Sequence, residues 1–447
     1  MTPAVARPYP TSRLALVTAL IMSVVMVLRP HELVPGLALI RPVILMMLFG
    51  GWVLLTQTPW HNAMQDVLTK RYAALLGWAM LTLPFAIYRA IGIPTLQKLI
   101  VMVLLVALMA AMPVAGGTTR TLLRWYLLAF IGYGTLVLVK GVQSAEAGRL
   151  SGISSYDPNE LAALCSLSLA FALGSVRSRG FLPRVIGLAA AVIATLIVLR
   201  TGSRGGAIGI AVVLALFVLA LPRVWILPGL LLVLLAAAGG WAVAPPTFKE
   251  RVQSIGSLNE DYNTSAYGGR KAIWTRGLSY LRDHPITGVG ISNYSEAEGQ
   301  ALAAIGKRGL WYNAHNMFVQ IGAELGVPGL LLMLFLLASA FKAAGSVWSS
   351  RDGPPAYPEA LGALASFVTT GLFLSMAYSE MLAFVAAIAM LAQRERWTVR
   401  QQTRRGWVGP TPASMAIPMP GADPAAMPTG RAIRYRGGGY RTRPHPR

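Results

Sequence analysis

Residues 182–221 read LPRVIGLAAAVIATLIVLRTGSRGGAIGIAVVLALFVLAL. Two almost uncharged apolar runs, 182–199 and 206–221, are separated only by the turn Arg200-Thr201-Gly202-Ser203-Arg204-Gly205-Gly206. A helix that crosses a bilayer needs roughly 20 mostly apolar residues, somewhat fewer where interfacial residues help. The stretch therefore predicts two consecutive transmembrane helices joined by a tight basic turn. Composition extends that reading outward. Of 447 residues, 55% are apolar and only 13% charged, and mean hydropathy is +0.56. A soluble protein of this length carries roughly 25% charged residues. The deficit runs along most of the chain, so this much apolar surface has to face lipid.

On the same criterion there are twelve candidate spans, near 14–28, 39–56, 72–88, 98–113, 122–139, 159–176, 182–199, 206–221, 224–244, 316–341, 358–376 and 379–393. The sequence predicts an all-α polytopic membrane protein with a large loop between spans nine and ten. Spans one to nine occupy 1–244, and the loop with its amphipathic helices 245–314. Spans ten to twelve occupy 315–395, and a basic tail 396–447. The tail is rich in Pro, Gly, Arg and Ala and predicts disorder, with anionic lipid as its simplest partner. The opening MTPAVARPYPTSR precedes an apolar run without a small-residue cleavage motif, which predicts an uncleaved first span.

Lys and Arg set the orientation. With the N-terminus cytoplasmic, the inner loops hold Lys70–Arg71, Arg120, Arg124, Arg177, Arg179, Arg184, Arg223, Lys342 and Arg351. Twelve spans return the eleven arginines from Arg394 to Arg447 to the same side. The net charge of +22 is thus a topology signal and a contact with headgroups, and no nucleic-acid-binding signature accompanies it. Two outer features break the rule: the Arg200–Arg204 turn, and the loop 245–314 with eight Lys and Arg. Positive charge that topology does not require suggests an anion bound outside. Cys165, the only cysteine, lies in an apolar run and acts as a small hydrophobe. The five histidines never pair at ligand spacing, so no metal site is expected.

Three constellations carry chemistry. The glycine-rich turn at 200–206 lets backbone N–H groups approach an anion at a helix N-terminus, and Arg200 and Arg204 could fork onto phosphate oxygens. The plainer reading is that both snorkel to the interface. In the outer loop, Arg270 opens an amphipathic helix over 271–282 that carries Trp274; Pro285 stops it, and Gly288 and Gly290 turn the chain back. That helix could equally lie on the interface with Trp274 as anchor. His315 then opens a span with Asn316 beside it, Gln320 a turn on and Glu324 a further turn on. Ionisable groups at membrane depth are costly and usually functional, although a histidine at a helix start can be a simple cap.

In order along the chain, these motifs are Asp157-Pro158-Asn159-Glu160, Thr201-Gly-Ser-Arg204-Gly-Gly, Arg270…Trp274, His284-Pro285-Ile-Thr-Gly288-Val-Gly290 and His315-Asn316…Gln320…Glu324-Leu-Gly326-Val-Pro328-Gly329. Together they resemble the O-antigen ligase/polymerase superfamily of bacterial surface-polysaccharide assembly. The resemblance is strong over 150–345. It implies twelve helices arranged as in membrane-embedded lipid-sugar glycosyltransferases, a GT-C-like fold in the inner membrane. It also implies a glycan donor on undecaprenyl diphosphate and, as acceptor, lipid A–core for a ligase or another glycan for a polymerase. No cofactor is implied. By motif match, Arg204 and Arg270 correspond to diphosphate-binding arginines and His315 to the essential histidine. Arg200 matches less closely, and Asn159, Trp274, Asn316, Gln320 and Glu324 stand as supporting residues. Arg29-Pro30-His31-Glu32 resembles members encoded with exopolysaccharide and exosortase systems, which leaves the acceptor open.

The chemistry agrees with the resemblance. Transfer from a diphosphate needs no cofactor energy, because the leaving group is already good. What it needs is neutralisation of developing charge and orientation of an acceptor hydroxyl. A transporter or flippase of lipid-linked sugars would instead show two similar halves and charges near midplanes. The sequence has no internal repeat, and its charges gather on one face.

Overall fold

The computed structural model describes residues 13–29, 41–141, 149–152, 156–253, 268–307, 310–348 and 357–404. The basic tail beyond 404, and with it the expectation of disorder, lies outside the described residues, as does most of the Arg29–Glu32 segment. Every element described is helical.

In chain order the helices are α1 (Arg13–Leu28), α2 (Pro42–Gln57), the short α3 (Trp60–Gln65), α4 (Val67–Thr82), α5 (Arg89–Ala111), α6 (Thr118–Lys140), α7 (Pro158–Val176) and α8 (Phe181–Thr201). They continue as α9 (Arg204–Leu219), α10 (Arg223–Val243), α11 (Pro246–Gln253), α12 (Arg270–Asp283), α13 (Tyr294–Ala304), α14 (Met317–Ser346), α15 (Pro358–Gly371) and α16 (Glu380–Arg404). Among the described residues six helices, α5, α6, α7, α8, α10 and α14, are long and apolar enough to cross a membrane, and α1, α2 and α9 are shorter apolar helices. The described residues are all-helical, with several helices of the length and composition of a polytopic membrane protein.

Burial separates centre from rim. The apolar window of α7 is 72% buried, whereas that of α10 has no buried residue. α7 is therefore the central helix and α10 presents leucines all round. In α7, Phe171 meets Phe384 of α16 edge-on with ring centroids 5.7 Å apart, and Tyr126 of α6 lies 4.7 Å from the same Phe384. Hydroxyls knit the centre where apolar packing alone would leave register loose. Tyr126 Oη shares a hydrogen bond with Ser168 Oγ at 2.9 Å, and Ser366 Oγ donates to Ser166 Oγ at 2.9 Å.

Two boundaries differ from expectation for identifiable reasons. The third span begins at Val67 because the Asp66 carboxylate accepts from Thr69 N at 3.0 Å, and it ends before Pro84 in a 3₁₀ turn at Leu83–Phe85. The apolar run expected to be helical over 358–376 stops at Gly371. Backbone groups just past that point are taken by side chains of α14's first turn: Asn316 Nδ2 donates to Leu372 O at 3.1 Å, and Gln320 Oε1 accepts from Ala377 N at 3.1 Å.

The tenth span is not one straight helix. At Gly326 the backbone takes φ 69° and ψ −171°, with Pro328 two residues on. The break frees carbonyls that a continuous helix would use internally, and each freed group finds a donor. Val289 N donates to Ala323 O at 2.9 Å, Gly290 N to Glu324 O at 2.9 Å, and Trp78 Nε1 to Leu325 O at 2.9 Å. Val327 N donates to Pro285 O at 2.8 Å. Irregular backbone at membrane depth is tolerated only when satisfied in this way. Gly288 and Gly290 take positive φ, 65° and 105°, as the chain returns against the break.

The conformation at Gly326 belongs to a region essentially restricted to glycine, and an added Cβ would strike the Ile286 carbonyl. Gly326→Ala should therefore lower stability by more than the about 1–3 kcal/mol of backbone strain alone. It should also expose segment 284–293 to protease. Thermal unfolding and limited proteolysis of the purified protein check this, and wild-type values in both would show the break to be dispensable.

Candidate functional site

The site lies where the α9, α12 and α14 N-termini meet the turn 372–379. Arg204 is the first residue of α9, and Ser203 caps that helix by accepting from Gly206 N at 3.2 Å. Gly202, at φ 61°, ends α8 in the left-handed region and lets the chain reverse in two residues. Arg270 is the first residue of α12. Its guanidinium lies 5.7 Å from the centroid of Phe373, and the Phe373 ring lies against Gly205, next to Arg204.

The first turns of α9 and α12 contain no acidic residue. A helix N-terminus already carries about half a positive charge. Each arginine thus sits at the end of its helix that disfavours a cation, by about 0.3–1 kcal/mol at an exposed site. An anion in front of both helices would reverse the sign of that interaction.

His315 is not the cap of α14. That duty falls to Asn316, whose Oδ1 accepts from Phe318 N at 2.9 Å and Val319 N at 3.1 Å. His315 takes φ 48°, a left-handed conformation uncommon outside glycine. Its N–H donates to Ser375 Oγ at 2.8 Å. Burial pushes the imidazole below its ordinary 6.5, the Arg270 cation pushes it further, and the Asp157 carboxylate works in the opposite direction. The ring therefore stands within electrostatic reach of both Arg270 and the start of α7, and favours its neutral form.

The supporting residues separate into two groups. Trp274 is not exposed on an interface: its Nε1 donates to Ala314 O at 3.0 Å, tying α12 to the residue before His315. α12 is also clamped to α13. Arg276 donates from Nε and Nη2 to the fully buried Glu298 carboxylate, at 2.7 Å from Nη2, and Tyr280 Oη donates to the same carboxylate at 2.9 Å. Tyr294 Oη donates to Ile273 O at 2.8 Å. Gln320 and Glu324 face the scaffold. Gln320 holds Ala377 N, and the buried Glu324 carboxylate accepts from Ser292 N at 2.9 Å and Tyr294 N at 3.2 Å.

Arg200 and Asn159 are placed differently. Arg200 turns its Nη1 to Leu138 O at the end of α6, at 3.3 Å. Asn159 reaches the basic turn through Arg149, a buried residue that sequence reasoning missed. Arg149 donates from Nε to Thr201 O at 2.7 Å and from Nη2 to Asn159 Oδ1 at 2.8 Å. A lone arginine between two apolar spans, a few residues before Asp157, was the signal available. Phe373 and Ser375 were also missed, and nothing in an apolar run could have marked them.

Residues 189–334, a third of the chain, match the family model described as O-Antigen ligase (Wzy_C). The match contains Arg200, Arg204, Arg270, Trp274, His315, Asn316, Gln320 and Glu324, and excludes Asn159, Arg149, Phe373 and Ser375. No curated protein gives a match to the chain. Over residues 189–334 the chain is therefore similar to the O-antigen ligase family.

Proposed function

We propose that the protein is a metal-independent glycosyltransferase that moves a glycan from undecaprenyl diphosphate to an acceptor hydroxyl on the periplasmic face of the inner membrane. The acceptor is lipid A–core in a ligase, or another glycan in a polymerase of O-antigen or exopolysaccharide repeats. The observation that carries the proposal is the gathering of Arg204, Arg270 and His315 around Phe373 and Ser375 within an O-antigen ligase domain. In the twelve-span layout, α1, α2, α4–α10 and α14–α16 cross the bilayer, and this site opens outward.

The acceptor oxygen attacks the anomeric carbon, the bond from that carbon to the diphosphate oxygen breaks, and undecaprenyl diphosphate leaves. Arg204 and Arg270, each backed by a helix N-terminus, hold the charge that grows on the leaving oxygens. The proton of the acceptor hydroxyl passes to His315. A neutral imidazole is what a base requires, and burial beside Arg270 keeps it neutral. Arg200, with Nη1 on the α6 carbonyl, steadies the turn and has a smaller share in the diphosphate.

The first test separates binding from folding. Arg204→Ala and Arg270→Ala should each weaken undecaprenyl diphosphate binding roughly 10- to 150-fold, since one charge-assisted bond contributes about 1.5–3 kcal/mol. Thermal unfolding of each variant is read alongside, so that lost binding is told apart from lost folding. Lysine should rescue only in part, lacking the planar fork, and Arg200→Ala should cost less than either. Unchanged binding in both alanine variants would remove the anion site.

His315→Asn is the second. Asparagine adopts the left-handed conformation readily, and Asn316 still caps α14, so the variant should express and fold as wild type. Transfer should drop by about 10²–10⁴-fold, the usual contribution of a general base. In the wild type kcat/KM, which reports the free enzyme, should climb with pH along a limb centred below 6.5, because the base works deprotonated and its pKa is lowered. Wild-type rates from His315→Asn, or a flat profile through that limb, would end the general-base role.

Orientation is tested by reporter fusions. Fusions within 268–307 should be active only as periplasmic reporters, and fusions after residue 395 only as cytoplasmic ones. The reverse pattern would place the site on the wrong side for this substrate.

A further inference from the structure

At the end of the bundle away from His315, α6, α7 and α15 enclose a narrow slot. α7 starts beside the site at Asp157, and its 19 residues rise about 28 Å, close to the thickness of a bilayer's hydrocarbon core. The slot therefore lies at the headgroup level of the opposite leaflet. Its walls include Arg120 and Arg124 of α6, Gly174 of α7, Ser178 just past α7, and Glu359 in the first turn of α15. It measures about 10 Å³, room for a single oxygen-sized atom.

The slot is built around a buried carboxyl group. A Cβ on Gly174 would lie 2.6 Å from Glu359 Cδ, so a glycine is what lets Glu359 lie across α7. Glu359 is buried, and the N-terminus of its own helix favours a carboxylate there. The cations opposite are less well answered. Arg120 lies over the Tyr357 ring, 5.5 Å from its centroid. Arg124 Nε is buried and has no hydrogen-bond partner among the described residues. Neither arginine forms an ion pair among the described residues. A buried donor of this kind costs stability unless a water or a ligand atom accepts from it.

The charge balance at this end is positive with every acid counted. Besides Arg120 and Arg124, the exposed Arg177 and Arg179 flank Ser178 in the chain, and Arg184 donates from Nε to Ser178 O at 3.2 Å. The carboxylates are Glu359 and, behind Tyr357, Glu395 of α16. Glu395 is already held by neutral donors, the backbone N–H groups of Gly117 and Thr119 and the Tyr357 hydroxyl, the last at 2.7 Å.

Outside the slot the surface is apolar. Trp125, next to Arg124, is 56% exposed. Leu128, also exposed, stands one turn further into the bilayer on the same helix face as Arg120 and Arg124. A cation at headgroup level above exposed apolar side chains matches a phospholipid, whose phosphate sits above its acyl chains. A free phosphate ion would need no apolar flank.

We infer that the slot takes a phosphate oxygen of an anionic phospholipid, gripped by the Arg124 guanidinium, with the acyl chains against Trp125 and Leu128. No residue of the slot belongs to the proposed transfer site, so this lipid site stands or falls apart from that reading.

The test uses the full chain in a neutral detergent, with bound lipid counted by native mass spectrometry. Dioleoylphosphatidylglycerol is the probe, dioleoylphosphatidylcholine the net-neutral control and inorganic phosphate the competitor. One phosphatidylglycerol should stay bound where phosphatidylcholine does not. Arg124→Gln should weaken it about tenfold or more, since a charge-assisted contact is lost. Arg124→Lys keeps the stem and the charge but not the planar fork, and should weaken it less; it carries the test if the Gln variant does not fold. Lys342→Gln removes an exposed cation near the far end of α14, outside the slot, and should leave binding unchanged. Wild-type affinity in either Arg124 variant, equal retention of the two lipids, equal losses in Arg124→Gln and Lys342→Gln, or displacement by inorganic phosphate alone would overturn the inference.

Discussion

The structure depends on a break in one helix. At Gly326 the hydrogen-bond ladder of α14 opens, and the exposed carbonyls of Ala323, Glu324 and Leu325 become a docking edge for Val289, Gly290 and Trp78. Glu324 adds its side chain to the same edge, accepting from the backbone of Ser292 and Tyr294. A buried carboxylate with peptide N–H partners is satisfied without a counter-cation, so it can hold a loop without drawing an arginine away from elsewhere. The loop therefore meets the bundle through backbone geometry, which is less tolerant of displacement than a patch of apolar contact.

That constraint propagates to the site. With the 288–294 segment fixed, Tyr294 is placed to hold Ile273, and Glu298 to hold Arg276 and Tyr280. α12 then has one orientation, Trp274 reaches Ala314, and Arg270 faces Phe373. From the other direction, Asn316 and Gln320 hold the 372–377 turn, which carries Phe373 and Ser375. Catalytic geometry has to hold to within about half an ångström. Around the proposed site, side chains from separate helices are held by hydrogen bonds to backbone groups, which have little freedom.

What could be read in the sequence follows from how local each signal is. The apolar runs, the amphipathic helix over 271–282 and the turning role of Gly288 and Gly290 are consequences of neighbours in the chain, and the observed α12 and positive φ values agree with them. Arg204 and Arg270 stood out because charge was placed where topology did not ask for it, and His315 because an ionisable group opens a span. Glu324 stood out as an ionisable group at membrane depth and Gln320 by its spacing between His315 and Glu324; both hold backbone N–H groups, since the cost of burying a polar group is the same whether its partner is a substrate or a peptide N–H. The end of α15 at Gly371 was hidden in an apolar run, and at Gly326 the nearby Pro328 and Gly329 mark a weak point without showing what satisfies it. There the deciding partners are remote: Asn316 for one, and Pro285, Val289 and Trp78 for the other. Arg149 was hidden likewise, its carbonyl partner at Thr201 lying on another helix.

The electrostatics of the site favour an order of events. While no anion is present, Arg270 and burial together keep the His315 imidazole neutral. On the proposed chemistry, a diphosphate arriving in front of Arg204 and Arg270 offsets the cation that depresses the histidine. The imidazole then gains affinity for a proton at the moment a donor is bound, and Asp157 at the α7 N-terminus is positioned to favour the charged form that results. Before that, the same arginine discourages protonation from bulk solvent. A base silenced by a cation and released by the substrate's own charge is strengthened only when there is a glycosyl group to transfer. On the proposed chemistry, the two arginines at the N-terminal ends of their helices serve twice, once on the leaving group and once, through Arg270, on the base.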